Sequence, residues 1–330
     1  MLSVMRSICL AVATGLTGAS PAVADQVVSF ATGRGGSSYY AIGVAMAAEL
    51  ERAAPGVKTS VQSTKGSVEN LERLQTRAEI AFVSGELLLE AWRRSAEAGP
   101  DAPSRRLRGI AALDSKCIQI VARADSGIRT LDDLRGKRVS VGTANSAIEL
   151  DARTIFAAAG LSYSSFARVE YFPFGESVEL MKDGRLDATL QSAAPGALAL
   201  RDLANAVNVV VVPVPREVID RIGNAVYTPA AIPANTYRGQ ASEVPVAAVR
   251  NYLVTRDDLD GDVVYALTKA LWSGVDRLTA AHAAARALDR RHALDGMPIP
   301  LHPGAEKYYR EIRLLPSGSK RHRPVNRARG

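Results

Sequence analysis

The sequence is poor in the side chains on which several classes of protein depend. It has two cysteines, Cys9 and Cys117, and aromatic residues make up 5% of its 330 positions. Two cysteines cannot build a disulfide framework, and so few aromatic rings leave little surface for stacking bases or sugar rings. The four histidines all lie in the last fifty residues, and their spacing is not typical of a metal site. A disulfide-stapled domain is therefore excluded.

Long apolar runs and an evenly spread positive charge are also missing. After residue 25 the best apolar run, 207–214, contains Asn208 and Pro213 and is far too short to cross a membrane. Five of the cations behind the net charge of +7 lie in the last eleven residues, so the rest of the chain is close to neutral. This distribution disfavours a nucleic-acid-binding face. With 47% hydrophobic and 23% charged residues over 330 positions, the composition fits a globular protein of two domains.

The two ends of the chain differ in character from the rest. Residues 1–24 have a positive start at Arg6, a short apolar stretch and the small-x-small tripeptide Ala22-Val23-Ala24, which predicts a signal peptide cleaved after Ala24. A short membrane anchor is the alternative, although glycines and Pro21 interrupt the run. Residues 316–330 are polar and basic, which predicts a disordered tail; attraction to anionic lipid is the alternative. We expect an exported, periplasmic protein in which Cys117 is a buried, unreactive thiol.

Between these ends, strand-like and helix-like segments alternate. Short β-branched runs such as 26–32, 57–62 and 80–83 are each followed by helical spacing of apolar residues. Two further strands are predicted at 107–113 and 118–122, joined by Asp114-Ser115-Lys116. Such alternation predicts an α/β fold with parallel sheets covered on both sides.

Three strand-to-helix junctions are rich in glycine and hydroxyl groups. At the carboxyl ends of parallel strands, free backbone N–H groups and hydroxyls favour a small anion. Each junction alone could be an ordinary turn or helix cap, but together they predict a cleft site, and a guanidinium among them would grip a carboxylate. The polar candidates are Gly33, Arg34, Gly36 and Ser37 in the first junction, Thr64, Lys65 and Ser67 in the second, and Asn145 and Ser146 in the third.

Groupings typical of catalysis are missing. No serine lies in G-x-S-x-G, and Glu86, Asp114 and Asp187 are single acids at predicted strand ends rather than a pair. His302, in a Pro-Leu-His-Pro-Gly-Ala segment, fits a helix cap better than a ligand to a metal. The sequence therefore predicts neither an enzyme nor a metal or cofactor site.

In combination and order, six segments resemble one known family, the TAXI-type extracytoplasmic solute receptors of TRAP transporters, over nearly all of residues 26–314. These segments are Ala-Thr-Gly at 31–33 followed by Tyr39 and Tyr40, STKGSVENL at 63–71, DDLRGKRV at 132–139, GRLDA at 184–188, IPANTYRG at 232–239 and PLHPGA at 300–305.

The resemblance implies a two-lobed periplasmic-binding-protein-like fold of type II, with a hinge and a central ligand cleft. We expect lobe I to comprise residues 25–115 plus 228–315 and lobe II residues 116–227, because the predicted strands at 114–122 and 225–232 lead from one sheet into another. The implied ligand is a small organic anion, a dicarboxylate or a glutamate-like amino acid. The implied wall residues are Thr32, Gly33, Gly36, Tyr40 and 63–67 on one side, and Asn145, Ser146 and the loop after Gln191 on the other.

The sequence departs from the family on the loops that are expected to touch ligand. Arg34, Ser37 and Lys65 stand where the family usually has smaller residues, and Ser84 stands where glutamine is common. The two added cations favour a ligand with more negative charge. We therefore expect Arg34 to pair with a ligand carboxylate, although it could instead point to solvent.

The function that follows is a monomeric periplasmic receptor that captures a small organic anion and delivers it to a TRAP-type membrane permease. Two alternatives stay open: a ligand sensor that serves a signalling partner, and an exported enzyme on the same fold. No nucleic-acid partner and no cofactor are expected.

Overall fold

The computed structural model describes residues 26–316, apart from Gly36 and His282. The predicted signal peptide, the predicted site residue Gly36 and nearly all of the basic tail therefore lie outside the described residues.

The N-terminal third alternates strands and helices, as the sequence predicts. Its elements are β1 (Gln26–Ala31), α1 (Ser38–Ala53), β2 (Val57–Gln62), α2 (Ser67–Thr76), β3 (Ile80–Ser84), α3 (Gly85–Ala98) and the long β4 (Leu107–Arg123). β1 pairs in parallel with both β2 and β3. Every residue of β3 is buried, which fits a strand with helices packed on both faces of its sheet.

The middle of the chain repeats this alternation. Its elements are β5 (Arg138–Ser140), α4 (Ala147–Ala158), β6 (Arg168–Glu170), α5 (Phe174–Lys182), β7 (Ala188–Ala193), α6 (Leu198–Ala206), β8 (Val209–Val212) and α7 (Arg216–Ile222). β5 pairs in parallel with β6 and β7. The last part contains β9 (Tyr227–Ile232), β10 (Val244–Arg256), α8 (Gly261–Ser273), α9 (Val275–Ala281) and α10 (Pro303–Glu311).

Two long strands connect the N-terminal strands to the middle strands. β4 and β10 pair antiparallel along most of their length, and one hydrogen-bonded sheet runs in the order β2-β1-β3-β10-β4-β7-β5-β6, with β8 on β4 and β9 on β10. The expectation of parallel sheets is therefore wrong for every pair that includes β4 or β10, since all of these are antiparallel. Two separate sheets were also expected, but β4 and β10 are long enough to belong to both sets of strands.

The predicted break at Asp114-Ser115-Lys116 is not a break in the strand. Residues 107–123 form one strand, because Ser115 and Lys116 continue the ladder opposite Arg250 and Val249 of β10. The pairing shifts register between Arg250 and Tyr252, so the irregularity lies beside this polar segment. The backbone hydrogen bonds to β10 continue through this segment, and the Asp114 and Lys116 side chains contact polar groups.

Packing joins residues 232–246 to the middle of the chain. Ile232, Tyr237 and Val246 belong to a hydrophobic cluster with Cys117, Val121 and residues of α5 and α6. The expected lobe boundary at 227/228 would put these residues on the other side, whereas their contacts lie with the middle segment. The division into two rigid lobes stays a prediction. Cys117 is buried, as expected, and burial raises the pKa of its thiol.

No helix among the described residues is long and apolar enough to span a bilayer.

Candidate functional site

Two predicted binding residues hold the N-terminal strands together. Thr32 and Thr64 are buried, and the Thr32 hydroxyl donates to the carbonyl of Gln62 at 2.8 Å. The fully buried Asn70 donates from Nδ2 to the carbonyls of Thr32 at 2.5 Å and Phe82 at 2.7 Å, and it lies 2.7 Å from the Thr64 hydroxyl. These bonds tie the carboxyl ends of β1 and β3 to α2, so both threonines are committed to the fold.

The first junction is a helix start with an exposed arginine before it. Ser37 caps α1, because its Oγ accepts from the Tyr40 N–H at 3.3 Å. A Cβ on Gly33 would lie 2.6 Å from that hydroxyl, so the position requires glycine. Arg34 is exposed and Tyr40 is half-buried. Lys65 is also exposed, and it lines a recess along the outer face of α2 together with Glu69 and Glu72.

Ser67 and Ser84 lie together. The Ser84 N–H donates to Ser67 Oγ at 3.0 Å, which fixes the start of α2 against the end of β3. The Ser67 side chain also lies near the phenol of Tyr39, where it slightly opposes the raised pKa of that phenol. Ser84 is 1% exposed, and its own Oγ has no hydrogen-bond partner among the described residues. The hydroxyl is therefore an unused polar group at the base of α3.

The residues predicted for the second wall differ in exposure. Ser146 caps α4 by accepting from the Glu149 N–H at 3.2 Å, and Asn145 before it is exposed in a left-handed conformation (φ 59°). Gln191 is fully buried on β7 and donates from Nε2 to the Thr189 hydroxyl at 2.8 Å. Its Oε1 accepts no hydrogen bond within the described part of the chain.

A charged cluster that sequence reasoning missed lies where β4 passes from the N-terminal strands to the middle strands. Lys116 Nζ lies 3.1 Å from Glu86 Oε1 and 3.7 Å from Asp151 Oδ2. Glu86 stands at the start of α3, Lys116 on β4 and Asp151 in α4. Asp151 is 0% and Glu86 4% exposed. We call these three residues the buried triad; its two acids come from helices that lie beside the two different sets of strands.

Hydroxyl groups complete the hydrogen bonding of Asp151. Ser192 Oγ donates to Asp151 Oδ2 at 2.5 Å, and the Tyr227 hydroxyl donates to Oδ1 at 3.2 Å. Both donors come from strands of the sheet, β7 and β9. By contrast, Glu86 Oε2 is buried with no hydrogen-bond partner among the described residues.

A second polar chain runs beside the triad. The Tyr39 hydroxyl donates to Asn251 Oδ1 at 2.5 Å, and Asn251 Nδ2 donates to Asp114 Oδ1 at 3.2 Å. Burial raises the pKa of Tyr39 well above its ordinary value, and it raises the pKa of Asp114 as well. The negative charge of Glu86 acts on Tyr39 in the same direction, so the two groups are electrostatically connected.

The pKa values in the triad reflect more carboxylates than cations. Burial, together with the charge of Glu86, raises the pKa of Asp151 to about 7, although Lys116 opposes the shift. Burial alone would lower the pKa of the Lys116 ammonium, but the charges of Glu86 and Asp151 outweigh it and raise that pKa. Lys116 is therefore charged at neutral pH, whereas Asp151 exchanges its proton in the physiological range.

A partial signal for the triad exists in the sequence. Glu86 and Asp114 stand out as single acids at predicted strand ends, and Lys116 interrupts two apolar runs. Asp151 lies within a helix and gives no local signal. Among the described residues, no group of three or more histidine, cysteine, aspartate or glutamate side chains is placed to hold a metal ion.

A separate recess of about 350 Å³ lies along α6, beside the IPANTYRG segment. Tyr237 of that segment donates to Gln119 Oε1 and accepts from the Gly196 N–H, so the motif packs against β4 and the turn after β7. The motif therefore has a structural role away from the triad.

Comparison with known proteins identifies the family and the fold. The model of the NMT1-like family matches residues 30–312, and the chain belongs to this family.

Three solved structures resemble this chain at a TM-score of 0.50 each. The periplasmic aliphatic sulphonate-binding protein SsuA from Escherichia coli is 14% identical over 88% of this chain and 89% of that chain. PhnD1 from Prochlorococcus marinus in complex with methylphosphonate is 12% identical over 88% and 100%. A putative sulfonate ABC transporter periplasmic sulfonate-binding protein from Methylobacillus flagellatus is 14% identical over 77% and 70%. The periplasmic-binding-protein-like α/β fold predicted from the sequence is thereby confirmed.

Proposed function

We propose that this member of the NMT1-like family is an exported receptor that binds a small solute at the buried triad and delivers it to a membrane transporter. The observation that carries the proposal is the convergence of polar side chains from α3, β4, α4, β7 and β9 on one buried point, where β4 and β10 pass between the two sets of strands. A ligand at such a point contacts both sides, and this is the arrangement that closure around a solute requires.

Unpartnered acceptors and hydroxyls supply the contacts for a solute. Ser84 Oγ and Glu86 Oε2 on the α3 side, and Gln191 Oε1 on β7, are buried and have no hydrogen-bond partner among the residues that the structure describes. Buried polar atoms without partners destabilise the protein, and a ligand that pairs with them recovers that free energy. Of the residues predicted from the sequence, we keep Ser67, Ser84 and Gln191 as contacts near the triad, with Arg34, Ser37, Tyr40, Asn145 and Ser146 at the cleft rim.

A small organic acid or amino acid is the proposed solute. The resemblance to TAXI-type receptors favours a dicarboxylate or a glutamate-like amino acid, and the solved relatives named above bind sulphonate or methylphosphonate, which are small anions as well. The exposed Arg34 would meet a carboxylate at the rim of the cleft. Native mass spectrometry of the purified protein tests this: we expect one co-purified molecule below a few hundred daltons. Protein that is ligand-free and binds nothing in a thermal-shift screen of carboxylates and amino acids would contradict the proposal.

The delivery partner is proposed to be a TRAP-type permease, as the resemblance implies. An ABC transporter is the second candidate, because one relative of the same fold is described as part of such a system. Reconstitution with the membrane protein encoded nearby separates the two: uptake driven by an ion gradient supports the first, and strict dependence on ATP supports the second. A neighbouring sensor kinase that responds to the solute-loaded protein would instead support the signalling role.

Export and the absence of turnover have simple tests. N-terminal sequencing of the protein secreted by the cell should begin at Asp25, since cleavage is expected after Ala24. Incubation of the pure protein with its solute should leave the solute unchanged. Product in excess of the protein concentration would favour the enzyme alternative.

A further inference from the structure

We propose that Glu86 and Asp151 form a subsite for a positively charged nitrogen, so that the solute carries an ammonium group. The inference rests on the proposed solute-binding function and specifies one end of the ligand, because it favours the amino acid over the dicarboxylate, the two classes that the resemblance implies.

The first observation is the balance of buried charge. Within the described residues, Glu86, Asp114 and Asp151 are three buried or nearly buried carboxylates around the ammonium of Lys116. Arg250 adds a positive charge beside Asp114, but its guanidinium also lies 3.6 Å from the Asp295 carboxylate. Carboxylates thus outnumber cations. Because uncompensated charge is costly away from water, the missing partner must be a proton or a cation.

The second observation is the unpartnered oxygen of Glu86. Oε1 faces Lys116 at 3.1 Å, whereas Oε2 is buried and accepts nothing within the described part of the chain. An ionised carboxylate can only accept hydrogen bonds, so a group that pairs with Oε2 must be a hydrogen-bond donor. The hydroxyl of Ser84, two residues earlier, likewise has no hydrogen-bond partner among the described residues and is a second possible acceptor. An ammonium has three N–H donors, so it can satisfy Oε2 and further acceptors as well.

The third observation is the placement of the two acids. Glu86 begins α3 beside the N-terminal strands, and Asp151 lies on α4 beside the middle strands. Lys116 already bridges them from β4 at 3.1 and 3.7 Å. A second cation beside Lys116 would share both carboxylates and pull α3 and α4 together. A carboxylate on the same solute would be repelled by these acids, and the exposed Arg34 is the partner proposed for it.

Matched pairs of probes, each differing in the amine, test the inference. Titration calorimetry compares L-glutamate with glutarate, γ-aminobutyrate with butyrate, and putrescine with butane-1,4-diol. A charge-assisted hydrogen bond to a buried carboxylate predicts that the amine of at least one pair binds about tenfold to a hundredfold more tightly than its partner. Equal affinity within every pair that binds, or no binding by any of the three amines, would overturn the ammonium subsite.

Conservative variants test whether the two acids cause the preference for the amine over its amine-free partner. Glu86→Gln and Asp151→Asn should each reduce the preference for the amine about tenfold or more while leaving the affinity for the amine-free partner nearly unchanged. Glu90→Gln is the matched control, since it is one turn along α3 and its carboxylate pairs with Arg94 at the surface. An undiminished preference in both acid variants would contradict the assignment. The two variants lie on different elements, so failure of one to fold leaves the other as the test.

These experiments separate the inference from the function on which it rests. Binding of glutarate or butyrate without any preference for the amine would leave the protein a solute receptor and remove the ammonium subsite alone. Absence of a co-purified solute, together with failure of every carboxylate and amino acid in the wider screen, would remove the receptor function itself.

Discussion

Replacing Asp151 with asparagine should stabilise the protein, and the gain should grow with pH. Asparagine has nearly the same shape and keeps an oxygen that can accept from the Tyr227 hydroxyl. What it removes is a carboxyl group that is fully buried, lies beside the negative Glu86 and has its pKa raised to about 7. The wild-type protein must either keep a proton on this group or bury its charge.

The sign and size of the effect follow from linkage. The folded-state pKa lies above the unfolded value near 4, so the native state binds more protons than the unfolded state between about pH 4 and pH 7. The wild type therefore loses stability as pH rises through that window. A shift of about three units corresponds to about 4 kcal/mol, all of it lost above about pH 8.

Urea unfolding of both proteins at several pH values measures this difference. The stability of Asp151→Asn minus that of the wild type should rise by up to about 4 kcal/mol from about pH 4 to pH 8. The attraction of Lys116 for ionised Asp151 is already part of the pKa of about 7, since Lys116 opposes the upward shift, so its loss adds nothing further to this difference. Asp101→Asn, at an exposed position, is the control and should show a flat difference. A flat difference for Asp151→Asn as well would refute the reasoning.

Three further changes test the remaining parts of the structure. Lys116→Met leaves two buried carboxylates without their cation and should lower the free energy of unfolding in urea by about 3–5 kcal/mol near neutral pH. Lys58→Met, on the exposed side of β2, is the control and should lower it by less than about 0.5 kcal/mol. Equal effects would contradict the buried ion pair. Asn70→Ala removes the hydrogen bonds to the Thr32 and Phe82 carbonyls and should lower the free energy of unfolding by about 2–4 kcal/mol, which thermal melting would detect. An unchanged melting temperature would show that these bonds are replaced by water. Arg34→Ala should weaken solute binding about tenfold to a hundredfold in calorimetry without altering stability, and unchanged affinity would remove this exposed arginine from the cleft.

Local patterns were sufficient to predict most of the helices and strands. The strand-like runs at 26–32, 57–62 and 80–83 and the helical spacing that follows each of them are short-range features, and the structure has a strand and a helix at each. The division of 107–123 into two strands was wrong for an equally local reason. Asp114, Ser115 and Lys116 are polar, but the ladder to β10 continues through them, and no local pattern shows a partner 130 residues away.

The candidate site was harder to predict, because the prediction selected polar residues at strand-to-helix junctions. Thr32 and Thr64 fit that pattern, yet their hydroxyls are committed to β1, β2 and α2. Hydrogen bonds between the ends of neighbouring strands need the same residue types as ligand binding does. Burial without a hydrogen-bond partner among the described residues, as at Ser84 and Gln191, is what makes a polar group a binding candidate, and that property exists only in three dimensions.

If the buried triad binds the solute as proposed, the stability of the protein should depend on that solute. Glu86, Lys116 and Asp151 come from three distant parts of the chain, and among the described residues they include one carboxylate oxygen without a hydrogen-bond partner and one carboxyl group with a raised pKa. Both features destabilise the protein. A solute whose ammonium pairs with Glu86 Oε2 would also attract the negative charge of Asp151 and lower its pKa. Binding near neutral pH would then release a proton, and the solute would bind more weakly below the pKa of Asp151, because acid restores the proton that the ammonium must displace. On the proposed ammonium subsite, the excess of buried acid that destabilises the protein alone would contribute to the affinity for an amine.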